Sequence, residues 1–154
     1  MFHRYQYEAG FYPTLSRLPL DLRRKLDIAG VKLALKDWQA FSFEEKTVLC
    51  HLPCDHADEL QAFTYYLDFL SRKYCGRPIE KIAAVDSAMW DPSTVPEAVG
   101  YKSAALKRQV TLDQWRRWQA HERYALYKTA LSNSQPEAFE QVLAQLSRCP
   151  ETES

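Results

Sequence analysis

Glycine is scarce in this sequence, four residues in 154, and the chain draws instead on Leu, Ala, Lys, Arg, Glu and Gln. Those residues lose little freedom in a helix, whereas glycine weakens one, so the composition points to an all-α protein. No apolar run approaches the ~20 residues that span a bilayer. The N-terminal Met-Phe-His-Arg-Tyr-Gln-Tyr-Glu lacks the apolar stretch of a signal peptide. Twenty basic residues offset twenty acidic ones, and this zero net charge argues against a dedicated nucleic-acid or membrane-surface protein. The expected compartment is the cytoplasm, where four cysteines are reduced thiols rather than a disulfide framework. No P-loop, dinucleotide fingerprint, HExxH helix or nucleophilic-triad pattern occurs, so neither a cofactor nor an enzymatic activity is expected.

What is present excludes disorder: 46 % of the residues are hydrophobic and 13 % aromatic. The length suits one helical domain over residues 1–150, with a disordered tail at 151–154 and about six helices. Leu15, Leu18, Leu22, Leu26 and Ala29 recur at helical spacing, with Pro19 suited to a first turn and Gly30 to a stop. Val31 to Leu35 reads as an extended connector, and Leu35, Trp38 and Phe41 share one face of a short helical turn. Ser42 and Glu45 have the spacing of a capping box, which starts a helix that Pro53 ends. Asp55 with Asp58 is the expected cap of the next helix, whose stripe is Leu60, Phe63, Leu67, Leu70 and Tyr74 and whose end is Gly76. Residues 76–95 form a less regular linker, with one short turn over Ile79 to Val85.

The pattern then returns. At a constant offset of 77, Pro19 meets Pro96, Lys25 meets Lys102, Leu35 meets Leu112 and Trp38 meets Trp115. Phe41 likewise meets Trp118, Glu45 meets Glu122, Lys46 meets Arg123 and Leu49 meets Leu126. One residue short of that offset, Phe63, Leu67 and Leu70 correspond to Phe139, Leu143 and Leu146. The matches fall on equivalent helix starts, inward aromatics and apolar stripes. Two similar three-helix halves, about 15–75 and 95–147, are therefore expected to share one core. Helical spacing assigns the tryptophans to that core rather than to a ligand-stacking surface.

Two clusters carry chemistry. "CHLPCDH", residues 50–56, gathers Cys50, His51, Cys54 and His56, all soft metal ligands. Zinc sites want two short-spaced ligand pairs, no second pair occurs, and Pro53 interrupts this one, so buried thiols at an interhelical corner are the favoured reading. A small metal- or redox-responsive protein is the alternative. The second cluster is basic: seven cations between Lys102 and Lys128, opposed by Asp113 and Glu122, give +5 against −5 for the rest of the chain. Arg117, His121 and Lys128 can share a helical face, which fits a protein-docking patch or a solvated face better than a nucleic-acid site.

The opening run resembles the small bacterial nitrate reductase-associated proteins. The matching elements are Glu8-Ala9-x-Phe11, Leu15-x-x-Leu18-Pro19, Leu22-Arg23-x-Lys25-Leu26-Asp27, Gly30-Val31-Lys32-Leu33 and Trp38-x-x-Phe41. The resemblance continues through Leu52-Pro53-Cys54 and Glu59, then Val95-Pro96, Thr111-Leu112-x-x-Trp115 and Arg123-x-x-Leu126-x-Lys128. Arg17 and Ala29 stand where relatives carry cysteines, and of the Cys/His cluster only Cys54 belongs to the shared pattern. The resemblance implies a cytoplasmic accessory protein that docks on nitrate reductase or assists its assembly or regulation. Its polar residues Glu8, Arg23, Lys25, Asp27 and Lys32, with Arg116, Arg117, His121, Arg123 and Lys128 from the basic region, are the docking candidates. An internal ion-pair network is the competing role for the first five.

Overall fold

The computed structural model describes residues 2–153, with side chains through Arg148. The tail expected over 151–154 lies outside the described side chains. The fold is all-α, with eight helices and one two-stranded sheet among the described residues. The chain divides into two compact units. One is built on Glu8–Asp86 with the N-terminal residues through Arg4, the other on the chain from Ser87 onward with Tyr5–Tyr7.

The first unit contains α1 (Leu20–Ala29), β1 (Val31–Lys32), α2 (Leu35–Ala40), α3 (Phe43–His51), α4 (Ala57–Cys75) and β2 (Glu80–Lys81). Leu15 and Leu18 belong to the turns before α1, because Pro19 places the helix start at Leu20, later than their spacing suggested. Gly30 ends α1 in the left-handed region, and β1 then pairs antiparallel with β2, Val31 opposite Lys81. The capping box forms as expected: Glu45 N–H donates to Ser42 Oγ and Ser42 N–H to Glu45 Oε1, at 3.1 and 2.9 Å. The cap of α4 differs from expectation. It is His56 rather than Asp55, and Glu59 accepts the amides of both at 3.0 and 2.9 Å. A glutamate one turn inside the helix reaches back to two orphan donors, which an aspartate at the cap could not do. Trp38, Leu49, Phe63, Leu67 and Leu70 form the fully buried centre of this unit.

The second unit contains a 3₁₀ turn at Ser87–Trp90, then α5 (Glu97–Ala105), α6 (Leu112–Arg117), α7 (Ala120–Leu131) and α8 (Pro136–Glu153). The linker's one expected turn is thus displaced to Ser87–Trp90, and Glu80–Lys81 is strand. Adding 77 to the first residues of α1, α2 and α3 gives the first residues of α5, α6 and α7. Each half therefore holds four helices rather than three, since the short turn before each capped helix closes separately.

The equivalence extends to individual bonds. Trp38 Nε1 donates to the Leu15 carbonyl at 2.8 Å, and Trp115 Nε1 to that of Asp91 at 2.7 Å. Both indoles are fully buried, and both meet a second ring edge-on: Phe41 at 6.3 Å and Trp118 at 6.5 Å. Each indole ties the loop before the first helix of its unit to the second helix, and buries a large ring without orphaning its N–H.

Gly30 and its equivalent Lys107 both have positive φ, 73° and 59°. A Cβ on Gly30 would lie 2.8 Å from the Ile82 carbonyl oxygen, whose residue also donates its N–H to Gly30 O at 2.9 Å. Replacement of Gly30 by Ala is expected to cost more than ~1 kcal/mol, since backbone crowding adds to the left-handed penalty. Lys107→Gly should raise stability by up to ~1 kcal/mol by relieving that penalty alone. Urea midpoints of the two variants, compared at unchanged m-value, check both signs.

Candidate functional site

Helix α1 begins with Leu20, and Pro19 before it offers no side-chain cap. The orphan amide is served from a distance. Leu20 N–H donates to both oxygens of Glu8, at 2.9 and 3.2 Å, and the Tyr12 hydroxyl donates to Oε1 at 2.7 Å. Burial pushes the Glu8 carboxyl up to about 7, against the opposing pull of these two donors. Beside it, buried Asp21 accepts from Arg24 Nε at 2.8 Å and from the His3 amide at 3.0 Å. Lys25 is 0 % exposed and donates to the Cys50 carbonyl, and at 3.4 Å to that of Leu49. Burial pulls its pKa down, while Asp21 favours its charged form. A cation at the C-terminal end of α3 meets carbonyls that Pro53 leaves without backbone donors, where the helix dipole also favours it.

Of the Cys/His cluster only the two cysteines lie near this lysine, and the histidines are exposed. Cys50 and Cys54 are buried, and burial pushes their thiols up to about 12 and about 11, despite the nearby Lys25. Such thiols stay protonated, the opposite of a reactive site. His51 Nδ1 pairs with the Thr47 carbonyl at 2.9 Å, and its ring meets Phe2 edge-on at 5.5 Å. His56 caps α4. Among the described residues no three His, Cys, Asp or Glu side chains are grouped to hold a metal ion.

The docking candidates separate into two sets. Glu8 and Lys25 are corrected to internal positions, because both are buried and committed to helix ends. Asp27 is half-buried, whereas Arg23 and Lys32 are exposed. In the second unit Arg116 and Arg117 of α6 are exposed, and Arg117 Nε donates to the Asp113 carbonyl at 3.3 Å. Arg117 does not share a helix with His121 and Lys128, since α6 ends before Trp118 and α7 starts at Ala120. His121 is half-buried and its carbonyl accepts from the Tyr5 hydroxyl at 3.2 Å. Lys128 is half-buried. Arg123 donates through Nε to the Trp90 carbonyl at 2.8 Å and through Nη1 to that of Trp118, a clamp inside its unit. Buried Asp21, Arg24 and Lys46 escaped the sequence reading, although Asp21 and Arg24 have the i, i+3 spacing of a helical pair.

A family model described as conserved nitrate reductase-associated protein matches residues 4–146. The chain belongs to that family. Comparisons with curated proteins and with solved structures gave no match. In this nitrate reductase-associated protein, Glu8, Lys25 and Trp38 of the opening run each serve a helix end or tie a loop, so that part of the run describes a fold.

Glu8 supplies a pH test. Its carboxyl is raised in the folded state, so the stability it confers is full below ~4.5 and is lost as pH rises through about 7. Glu45, held down to about 2 by Lys73 and the Ser42 amide in spite of its own desolvation, contributes a constant above pH 5. The stability difference between wild type and Glu8→Gln should therefore shift by at most about 3 kcal/mol between pH 5 and 8, with wild type losing ground at the higher pH. Parallel urea titrations of both proteins across that range measure it.

Proposed function

We propose that this chain is a non-enzymatic accessory protein of nitrate assimilation, which docks on nitrate reductase and assists its assembly or regulation in the cytoplasm. The observation that carries the reading is the family match over residues 4–146, whose name records association with that enzyme. Two structural features support a binding role. The titratable groups of the opening run with shifted pKa, Glu8 and Lys25, lie under the surface in service of helix ends. The cations that face solvent, Arg23 and Lys32 in one unit and Arg116 and Arg117 in the other, suit an acidic protein surface. The zero total charge suits a protein partner rather than nucleic acid. No helix among the described residues is long and apolar enough to cross a membrane.

Docking through exposed cations is salt-sensitive. Tagged protein from nitrate-grown cells should retain nitrate reductase at low ionic strength and release it as salt rises. The double variant Arg116→Glu, Arg117→Glu should retain roughly tenfold less. Absence of the enzyme from every eluate, together with unchanged nitrate reductase activity in a deletion strain, would sink the proposal.

A further inference from the structure

The second unit carries an open groove of about 680 Å³ between its 3₁₀ turn, α5 and α7. Its walls are apolar: Met89, Tyr101 and Leu131 are 52, 77 and 53 % exposed, with Ala98 and Tyr127 beneath them. Large apolar side chains gathered on one surface mark a binding face more often than they stand idle.

The first unit shows what such a place holds. At the 77-residue offset, Met89, Ala98, Tyr101, Tyr127 and Leu131 correspond to Tyr12, Asp21, Arg24, Cys50 and Cys54. There the chain's own N-terminal segment lies across the equivalent position. Phe2 meets Tyr12 and His51 edge-on at 5.5 Å each, the His3 amide donates to Asp21 Oδ2 at 3.0 Å, and the Arg4 guanidinium sits 5.0 Å from the Phe2 ring centre. Residues 2–5 have no helical or strand structure, so the occupant is a short irregular segment with an aromatic anchor and a basic neighbour. Cys50 and Cys54 are buried there, whereas their equivalents Tyr127 and Leu131 are half-buried and exposed.

We infer that the second-unit groove binds a short non-helical peptide segment of a partner protein, anchored by an aromatic or large aliphatic side chain next to a basic one. The anchor preference follows from the apolar walls and from Phe2 in the equivalent position. The exchange of Asp21 for Ala98 makes this groove more apolar than its counterpart and shifts affinity toward the anchor. The basic preference follows from Glu97 at the groove, the one charged side chain lining it among the described residues. This goes beyond association with nitrate reductase, since the groove selects a peptide chemistry whichever protein supplies it.

Panning a phage library of random dodecapeptides on the full chain tests the inference, followed by fluorescence anisotropy of one enriched peptide. The expected result is enrichment of Phe, Tyr, Trp, Leu or Met within two residues of Arg or Lys. Binding should fall roughly tenfold or more in Leu131→Asp and in Met89→Asp. It should weaken severalfold in Glu97→Lys and hold in Glu140→Lys, the same charge reversal at an exposed position of α8 outside the groove. Circular dichroism selects the variants that remain folded, and three substituted positions keep the test decisive if one does not. No enrichment over blank beads, or enriched peptides indifferent to all three groove substitutions, overturns the inference. So does a wild-type dimer in sedimentation velocity that Leu131→Asp dissolves, because the occupant is then a second copy of the chain.

Discussion

Helix α3 ends in carbonyls that cannot find backbone donors, because Pro53 follows, and the first unit resolves this with the ammonium of a lysine from α1. Burying that ammonium costs several kcal/mol unless its protons are bonded and a counter-charge is near, and here the carbonyls and Asp21 supply both. The second unit has a related but looser bond: half-buried Lys102 of α5 donates to the carbonyl of Ser132, the cap of α7, at 3.2 Å, where no proline follows the cap. The corner that carries Cys50 and Cys54 is therefore held by a lysine. The equivalent corner at 129–133 has neither cysteine nor histidine, and a lysine of α5 reaches it too.

Around that bond the two units use matching parts with local substitutions. Glu45 takes the Ser42 amide and Glu122 the Gln119 amide, at 2.9 and 2.8 Å. Lys46 lies 5.6 Å from the centre of the Trp38 ring, and its equivalent Arg123 reaches instead to two tryptophan carbonyls. A guanidinium offers several donors in a fixed fork where an ammonium acts as a point charge, so the same position can grip differently. The greatest divergence is at the surface over α1 and α5, covered by Phe2–Arg4 in one unit and open in the other.

Local signals were legible in the residues alone. Gly30 and Gly76 end helices, Pro19 and Pro96 start them, Ser42 with Glu45 closes a capping box, and the inward rings keep helical spacing. The offset of 77 was legible for the same reason, since both halves need the same punctuation. What escaped the sequence reading is non-local. Glu8 caps a helix twelve residues away, and Lys25 reaches carbonyls twenty-four and twenty-five residues on, so the residues alone leave docking and an internal network both open and do not name these partners. The groove of the second unit was hidden because it is defined by a covering segment that only the other unit has. The family was legible from the ordered opening run. The partner was not, because the residues that made the run recognisable include those that hold the helices together.

Lys25 caps α3 from beneath the surface, and a lysine ¹³Cε titration by NMR reads that burial directly. The expected midpoint for Lys25 lies below the ordinary lysine value of ~10.4, because burial disfavours its charged form. A Lys25 midpoint at or above that value would put the ammonium in water, free to meet a partner, and would contradict the buried cap that holds the first unit's corner.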